Sequence, residues 1–202
     1  MIAVITGDII NSRQVNSKHW QPKLKRLFTQ NIADSKKWEI YRGDSFQIEV
    51  KVEEAIEWVV TIKALLRSIE FLNVRMSIGI GDKSYSGKKI TESNGSAFIH
   101  SGESFDKLKH ETLSLKSSFV ELDDYFNPML KLIGFITDNW KPVTAETIFY
   151  ALENRLLRQK ELAEKLNKNS ATISRALKRG GYDEICEALN LYTKKINTCM
   201  NS

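Results

Sequence analysis

Two short acidic segments carry the most chemistry in this chain: Ile5-Thr6-Gly7-Asp8-Ile9 and Tyr41-Arg42-Gly43-Asp44-Ser45-Phe46. Each sets an Asp behind a Gly, next to a run that reads as a β-strand. Mg²⁺ (or Mn²⁺) takes hard oxygen ligands, usually only one or two of them protein carboxylates, and leaves phosphates and waters to complete the octahedron. Asp8 and Asp44 are therefore the candidate metal ligands, with the Ile9 backbone carbonyl as a further one. A nucleoside triphosphate is the ligand or substrate that such a pair would serve. Gly43, Arg75, Gly79 and Gly81 are the nucleotide-binding candidates, Arg75 as a phosphate contact and the glycines as points of close backbone approach. Each has a plainer reading: Gly-Asp is a favoured hairpin turn, Arg75 is a solvated strand residue, and Gly79 and Gly81 end a strand.

A second constellation lies near residues 159–179. Leu162, Ala163 and Leu166 form the inner face of a short amphipathic helix, and Asn167-Lys168-Asn169 makes a polar turn. Ser170 then caps a second helix whose inner face is Ile173, Ala176 and Leu177. Ser170, Ala171, Thr172, Ser174, Arg175, Lys178 and Arg179 remain outward. Small polar residues and an Arg at the start of such a helix suit entry into a DNA major groove. The competing reading is a compact bundle used for dimerisation or docking. Residues 144–157 supply a supporting helix through Ile148, Leu152 and Leu156, with Thr144 as its N-cap. Gly180-Gly181 ends the recognition helix. A last helix, residues 182–196, closes the bundle or forms a dimer seam.

Alternation and helical spacing place these groups. The apolar run Ile2-Ala3-Val4-Ile5 suits a central strand. Residues 17–32 and 52–69 read as helices, and Phe46, Ile48 and Val50 alternate with Gln47 and Glu49 in a strand that forms a hairpin with residues 38–42. Residues 74–80 alternate again. The order β-α-β-β-α-β is the ferredoxin-like split arrangement, an antiparallel sheet in which the first and third strands are neighbours. That topology carries Asp8 and Asp44 to one edge. Residues 95–109 read as a helix kinked near Ser101-Gly102. Residues 113–115 and 118–122 read as a further strand pair, and residues 123–139 as a helix with Pro128 in its first turn. The fold class is α+β: a palm-like domain, residues 1–141, followed by a small all-α helix-turn-helix domain, residues 143–202.

The motifs also resemble a known group. Ile5-Thr6-Gly7-Asp8-Ile9, Arg42-Gly43-Asp44-Ser45-Phe46 and Arg75-Met76-Ser77-Ile78-Gly79-Ile80-Gly81 look like the metal-binding strand, Gly-Asp hairpin and following strand of class III nucleotidyl cyclases. Ser93-Asn94-Gly95-Ser96-Ala97-Phe98 is similar to the next block of those enzymes. Palm domains of diguanylate cyclases and CRISPR polymerases share this core. The whole layout resembles the SatD family, small bacterial proteins with a palm-like front and a helix-turn-helix rear. The resemblance implies metal binding at Asp8 and Asp44. The base-selecting Lys/Asp pair and the transition-state Asn and Arg of the cyclases have no match in this sequence.

Composition narrows the classes. The 202 residues are 42% hydrophobic and 27% charged, ordinary for a soluble globular chain. The net charge of +5 permits nucleic-acid contact without requiring it. No apolar run reaches a membrane span, and no signal peptide opens the chain, so the cytoplasm is the expected location. Cys186 and Cys199 lack ligand spacing and read as reduced thiols. The expected function is a DNA-binding transcriptional regulator, a homodimer, with a Mg²⁺-dependent nucleotide-binding front. The rival is an active nucleotidyl cyclase or cyclic-oligonucleotide synthase.

Overall fold

A computed structural model describes residues 1–200. The chain runs β1 (Ile2–Ile10), α1 (Gln21–Asn31), β2 (Trp38–Tyr41), β3 (Ser45–Val50), α2 (Ala55–Arg67), β4 (Asn73–Gly81), α3 (Ser96–Lys107) and β5 (Leu113–Lys116). It continues through α4 (Val120–Asp138), α5 (Pro142–Glu153), α6 (Gln159–Lys165), α7 (Ser170–Arg179) and α8 (Tyr182–Met200). The fold is α+β. Among the described residues no helix is long and apolar enough to cross a membrane.

One mixed sheet has the order β2-β3-β1-β4-β5. β1 runs antiparallel to both β3 and β4, and β2 pairs antiparallel with β3. β5 pairs parallel with β4, so the sheet is not antiparallel throughout. The cause is α3, which carries the chain back across the sheet between β4 and β5 so that the next strand enters in the same direction. Residues 118–122 add no strand, because α4 begins at Val120. Pro128 falls well inside α4, and α3 runs unbroken past Ser101 and Gly102.

Period-two alternation gives the sheet two different faces. Ile5, Phe46, Ile48, Met76 and Ile78 face one way and are fully or nearly fully buried. α1 and α2 cover that face, with Phe28 of α1 packed at 5.6 Å on both Trp38 and Phe46. Gly7 sits opposite Phe46, and a Cβ there would meet the Phe46 ring at 2.3 Å. The other face carries Thr6, Asp8, Ser45, Gln47, Glu49, Arg75 and Ser77, and α3 lies over its β4 side.

The rear helices share the core of the front. Ala145, Ile148, Ile173, Leu189 and Tyr192 belong to the same buried cluster as Ile5 and Ile78. Trp140 Nε1 donates to the Gly180 carbonyl at 2.9 Å, and the buried Tyr192 hydroxyl donates to the Val52 carbonyl at 2.6 Å. Lys141-Pro142 is therefore a bend between α4 and α5, across which packing continues. Pro142 is at the first turn of α5, where its missing N–H costs nothing. Thr144 consequently lies buried inside the helix, not at its cap. The helix stops at Glu153, which leaves Leu156 in the following turn, 98% exposed and outside the core.

Candidate functional site

The carboxylate pair is built by three local features. β1 projects Asp8 onto the polar face of the sheet near its C-terminal end, directly opposite Ser45 on β3 and Arg75 on β4. The β2–β3 turn presents Asp44. Its bend uses Arg42 at φ 51° and Gly43 at φ 92°, both left-handed, which is the twist that tight hairpins favour. Gly43 supplies that conformation without strain, so its role in the structure is the turn. The turn is stitched to β1 by the Ile9 N–H, which donates to the Asp44 carbonyl at 3.1 Å. The Ile9 side chain itself is in the core.

Hydrogen bonds hold both carboxylates. Ser12, in the loop after β1, donates to Asp44 Oδ2 at 2.5 Å. Arg75 donates to Asp8 Oδ2 from Nε at 3.3 Å and from Nη2 at 3.2 Å, while its guanidinium lies 5.0 Å over the Phe105 ring. Burial raises the Asp8 pKa and the Asp44 charge raises it further; together they outweigh Arg75. The Asp8–Ser45 pairing and the Ile9–Asp44 backbone bond set the two acidic residues beside each other, and like charges so placed repel, the electrostatic situation that a divalent cation relieves. Tyr41 pairs with Ser45, which pairs in turn with Asp8, so Tyr41 borders the same site; burial raises its pKa against the pull of Arg42.

Two carboxylates fit Mg²⁺, which needs no more protein ligands when phosphates and waters supply the rest. Among the described residues no cluster of three or more His, Cys, Asp or Glu could hold a metal without such help.

The other expected nucleotide contacts are placed differently. A Cβ on Gly79 would fall 2.1 Å from the Ala97 carbonyl and 2.3 Å from the Ser101 N–H. One on Gly81 would fall 2.3 Å from Ser96 Oγ and 2.7 Å from the Ala97 N–H. What approaches these glycines is the backbone of α3, so they seat a helix and leave no room for a ligand. Arg75 does stand beside the carboxylates, paired to one of them. Sequence reading passed over Ser12, Tyr41 and the polar row Thr6–Gln47. The alternation of Gln47 and Glu49 with buried Phe46 and Ile48 was the available signal for that row.

Glu49 marks the far end of the same face. It is almost buried and bound by Lys83 at 2.7 Å and Lys37 at 3.0 Å. Burial alone would raise its pKa, but the two lysines outweigh burial and hold it below the ordinary value.

In the rear, α6 and α7 are joined through Asn167, which takes the left-handed conformation at φ 51°. The cap of α7 is Asn169, whose side chain accepts from the Thr172 N–H at 2.7 Å. Ser170 is therefore the first helical residue and not the cap. Ile173, Ala176 and Leu177 are buried, while Ser170, Ala171, Ser174, Arg175, Lys178 and Arg179 are exposed and Thr172 is half-buried. Gly181, at φ 67°, ends α7 in the left-handed conformation usual after a helix.

A family model described as the SatD family matches residues 1–198. No curated protein matches the chain.

Proposed function

The chain belongs to the SatD family, and we propose that it is a DNA-binding transcriptional regulator whose palm-like front binds a nucleoside triphosphate through Mg²⁺. The observation that carries the first half is the placement of Asp8 and Asp44 at the joined ends of β1 and the β2–β3 turn, where Asp8 pairs with Ser45 and the Ile9 N–H donates to the Asp44 carbonyl. The strand order β2-β3-β1-β4, with antiparallel neighbours, supports a ferredoxin-like palm for residues 1–141. A bound Mg²⁺ would neutralise phosphate charge at that pair. Asp8 and Asp44 would hold it, Ser12 fixes the Asp44 carboxylate, and Arg75 can turn from Asp8 to a phosphate oxygen, for which its planar fork is suited.

The DNA half rests on α7. Its exposed side presents Ser170, Ala171, Ser174, Arg175, Lys178 and Arg179, and among the described residues none of these side chains makes an ion pair or hydrogen bond to the rest of the chain. α6 and α7 would form the helix-turn-helix pair, α5 its support, and a homodimer would double the few phosphate contacts that one chain makes. Tyr192, Trp140 and the common core give the front and rear a rigid connection through which ligand occupancy could alter the spacing of recognition helices.

A second reading is an active nucleotidyl cyclase or cyclic-oligonucleotide synthase. It is favoured by the exposure of the pair: the Asp8 side chain is 26% exposed, so a second substrate can reach it.

Thermal-shift titration of the full chain with each nucleoside triphosphate, with and without Mg²⁺, tests the front. A metal-dependent rise that disappears in Asp8→Asn and in Asp44→Asn supports it; a flat response in the wild type removes it. Mass spectrometry of the same mixtures with Mg²⁺ or Mn²⁺ decides the second reading. A cyclic or linked nucleotide product, absent with both variants, would establish turnover.

A further inference from the structure

The polar face beside the carboxylates holds a hydrogen-bonded chain that none of the roles above uses. Gln47 Nε2 donates to Thr6 Oγ1 at 3.1 Å. Thr6 Oγ1 lies 2.8 Å from Ser101 Oγ, and Ser101 Oγ donates to the Phe98 carbonyl at 3.3 Å. A hydroxyl has a single proton. With the Ser101 proton on Phe98 O, the Thr6 proton goes to Ser101, and Thr6 Oγ1 is left to accept from Gln47. Ser101 is fully buried and Thr6 nearly so, which makes this chain a fixed support. It turns the Gln47 nitrogen toward Thr6 and the amide oxygen away from it. No donor among the described residues satisfies that oxygen.

Gln47 also lies within reach of the carboxylate pair. Ser45, two residues earlier on β3, is the partner of Asp8, which places Gln47 about 7 Å along the strand from that level. The ribose of a nucleotide whose phosphates are at Asp8 and Asp44 would bridge such a span. One wall beside it is aromatic and open. Ser104 of α3 bonds Ser114 of β5, so Phe98, Gly102 and Phe105, on the opposite flank of the helix, lie toward β1, with Phe105 beside Arg75. A Cβ on Gly102 would meet nothing within 4 Å.

We propose that Gln47 selects the base of the nucleotide held at Asp8 and Asp44, and that it selects an exocyclic amino group, such as that of adenine, over a carbonyl oxygen. This rests on the nucleotide reading of that site and adds the base class to it. An amide oxygen accepts from an amino group and repels a carbonyl oxygen at the same position. A second Gln47 N–H can then serve a ring nitrogen, the bidentate pairing that Gln makes with adenine.

The test compares ATP with inosine triphosphate, which differ at the discriminating position, by calorimetry on the full chain with Mg²⁺. Wild type is expected to favour ATP by about tenfold or more. Gln47→Leu should reduce the preference to within about threefold, and Thr6→Val, which frees the amide to rotate, should reduce it partly. Mg²⁺-tripolyphosphate should bind all three proteins equally, which shows that the variants fold and keep the metal end. Equal binding of ATP and inosine triphosphate by the wild type, a preference for inosine triphosphate, or full discrimination by Gln47→Leu overturns the assignment while leaving nucleotide binding intact. Failure of all three ligands to bind the wild type overturns the nucleotide reading itself, and the assignment with it.

Discussion

Arg75 stands directly across from Asp8 in the β1–β4 register and gives two N–H groups to the same oxygen, Oδ2, at 3.3 and 3.2 Å. The arginine is thus an internal counter-charge for Asp8. The guanidinium also lies over the Phe105 ring.

Competition between Arg75 and a metal has a measurable consequence. Arg75→Gln should bind Mn²⁺ alone several-fold more tightly than the wild type, read from loss of the free-ion EPR signal. The same variant should bind Mg²⁺-triphosphate more weakly, because a phosphate partner is gone. Unchanged Mn²⁺ affinity would show that Arg75 does not compete.

Asp8 sets a pH dependence. Burial and Asp44 raise its pKa above the ordinary 3.8, so the native state binds this proton at a pH where the unfolded chain has released it. The unfolded state binds fewer protons in that window, and stability therefore falls as pH rises from about 3.8 through the folded value. Asp8→Asn should remove that slope: its melting temperature in metal-free buffer should equal or exceed the wild type at pH 7, and the gap should narrow near pH 4. Calorimetric melts across this range check it. A marked loss of stability at pH 7 would mean that the Arg75 pair dominates.

Lys63 offers a second, independent test. It is fully buried, and its Nζ reaches Asp138 at 2.6 Å, the Val74 carbonyl at 2.8 Å and Thr112 Oγ1 at 2.8 Å. Asp138 also accepts from Asn73 and Thr112, so α2, β4 and α4 are joined at one point. Burial pushes the Lys63 pKa down to about 8, against the pull of Asp138. Asp138→Ala leaves that cation buried without its counter-ion and should cost about 3–5 kcal/mol. Lys63→Met should cost less, since Asp138 is 30% exposed and keeps two donors. Between pH 8 and 10.5 the native state gives up the Lys63 proton before the unfolded chain does, so this group adds stability as pH rises there, and Lys63→Met should lose that increment. Denaturant melts of both variants decide the order.

The rear helices make a prediction in salt. If α7 enters a DNA groove, Arg175→Ala should weaken binding to a selected DNA site. If Lys178 meets a phosphate, Lys178→Ala should reduce the slope of log affinity against log salt by about 1. Fluorescence anisotropy at several salt concentrations measures both. Wild-type-like binding by both variants would turn attention to the bundle as a docking element.

Much of the framework was legible along the chain. The strict alternation of Phe46, Ile48 and Val50 with Gln47 and Glu49 reports a sheet with one apolar face, because each strand residue points opposite to the next. The inner positions Ile173, Ala176 and Leu177 follow from helical spacing in the same way. Other features were opaque for physical reasons. The 118–122 segment has strand-like residues, but α4 begins within it at Val120 and turns Leu122 into the core. Leu156 continues an apolar spacing, yet the helix ends before it, at Glu153.

The sequence by itself determined which residues could share a face, since periodicity is a property of neighbouring residues. Only the tertiary structure decided what each face meets. The closeness of Asp8 and Asp44 arises from β1 lying antiparallel to β3, and the pairing of Arg75 with Asp8 from β1 lying antiparallel to β4. The filling of Gly79 and Gly81 by α3 depends on where a helix that begins only at Ser96 packs. Such contacts join segments remote in the chain, and they are selected by burial of the whole core rather than by any local propensity.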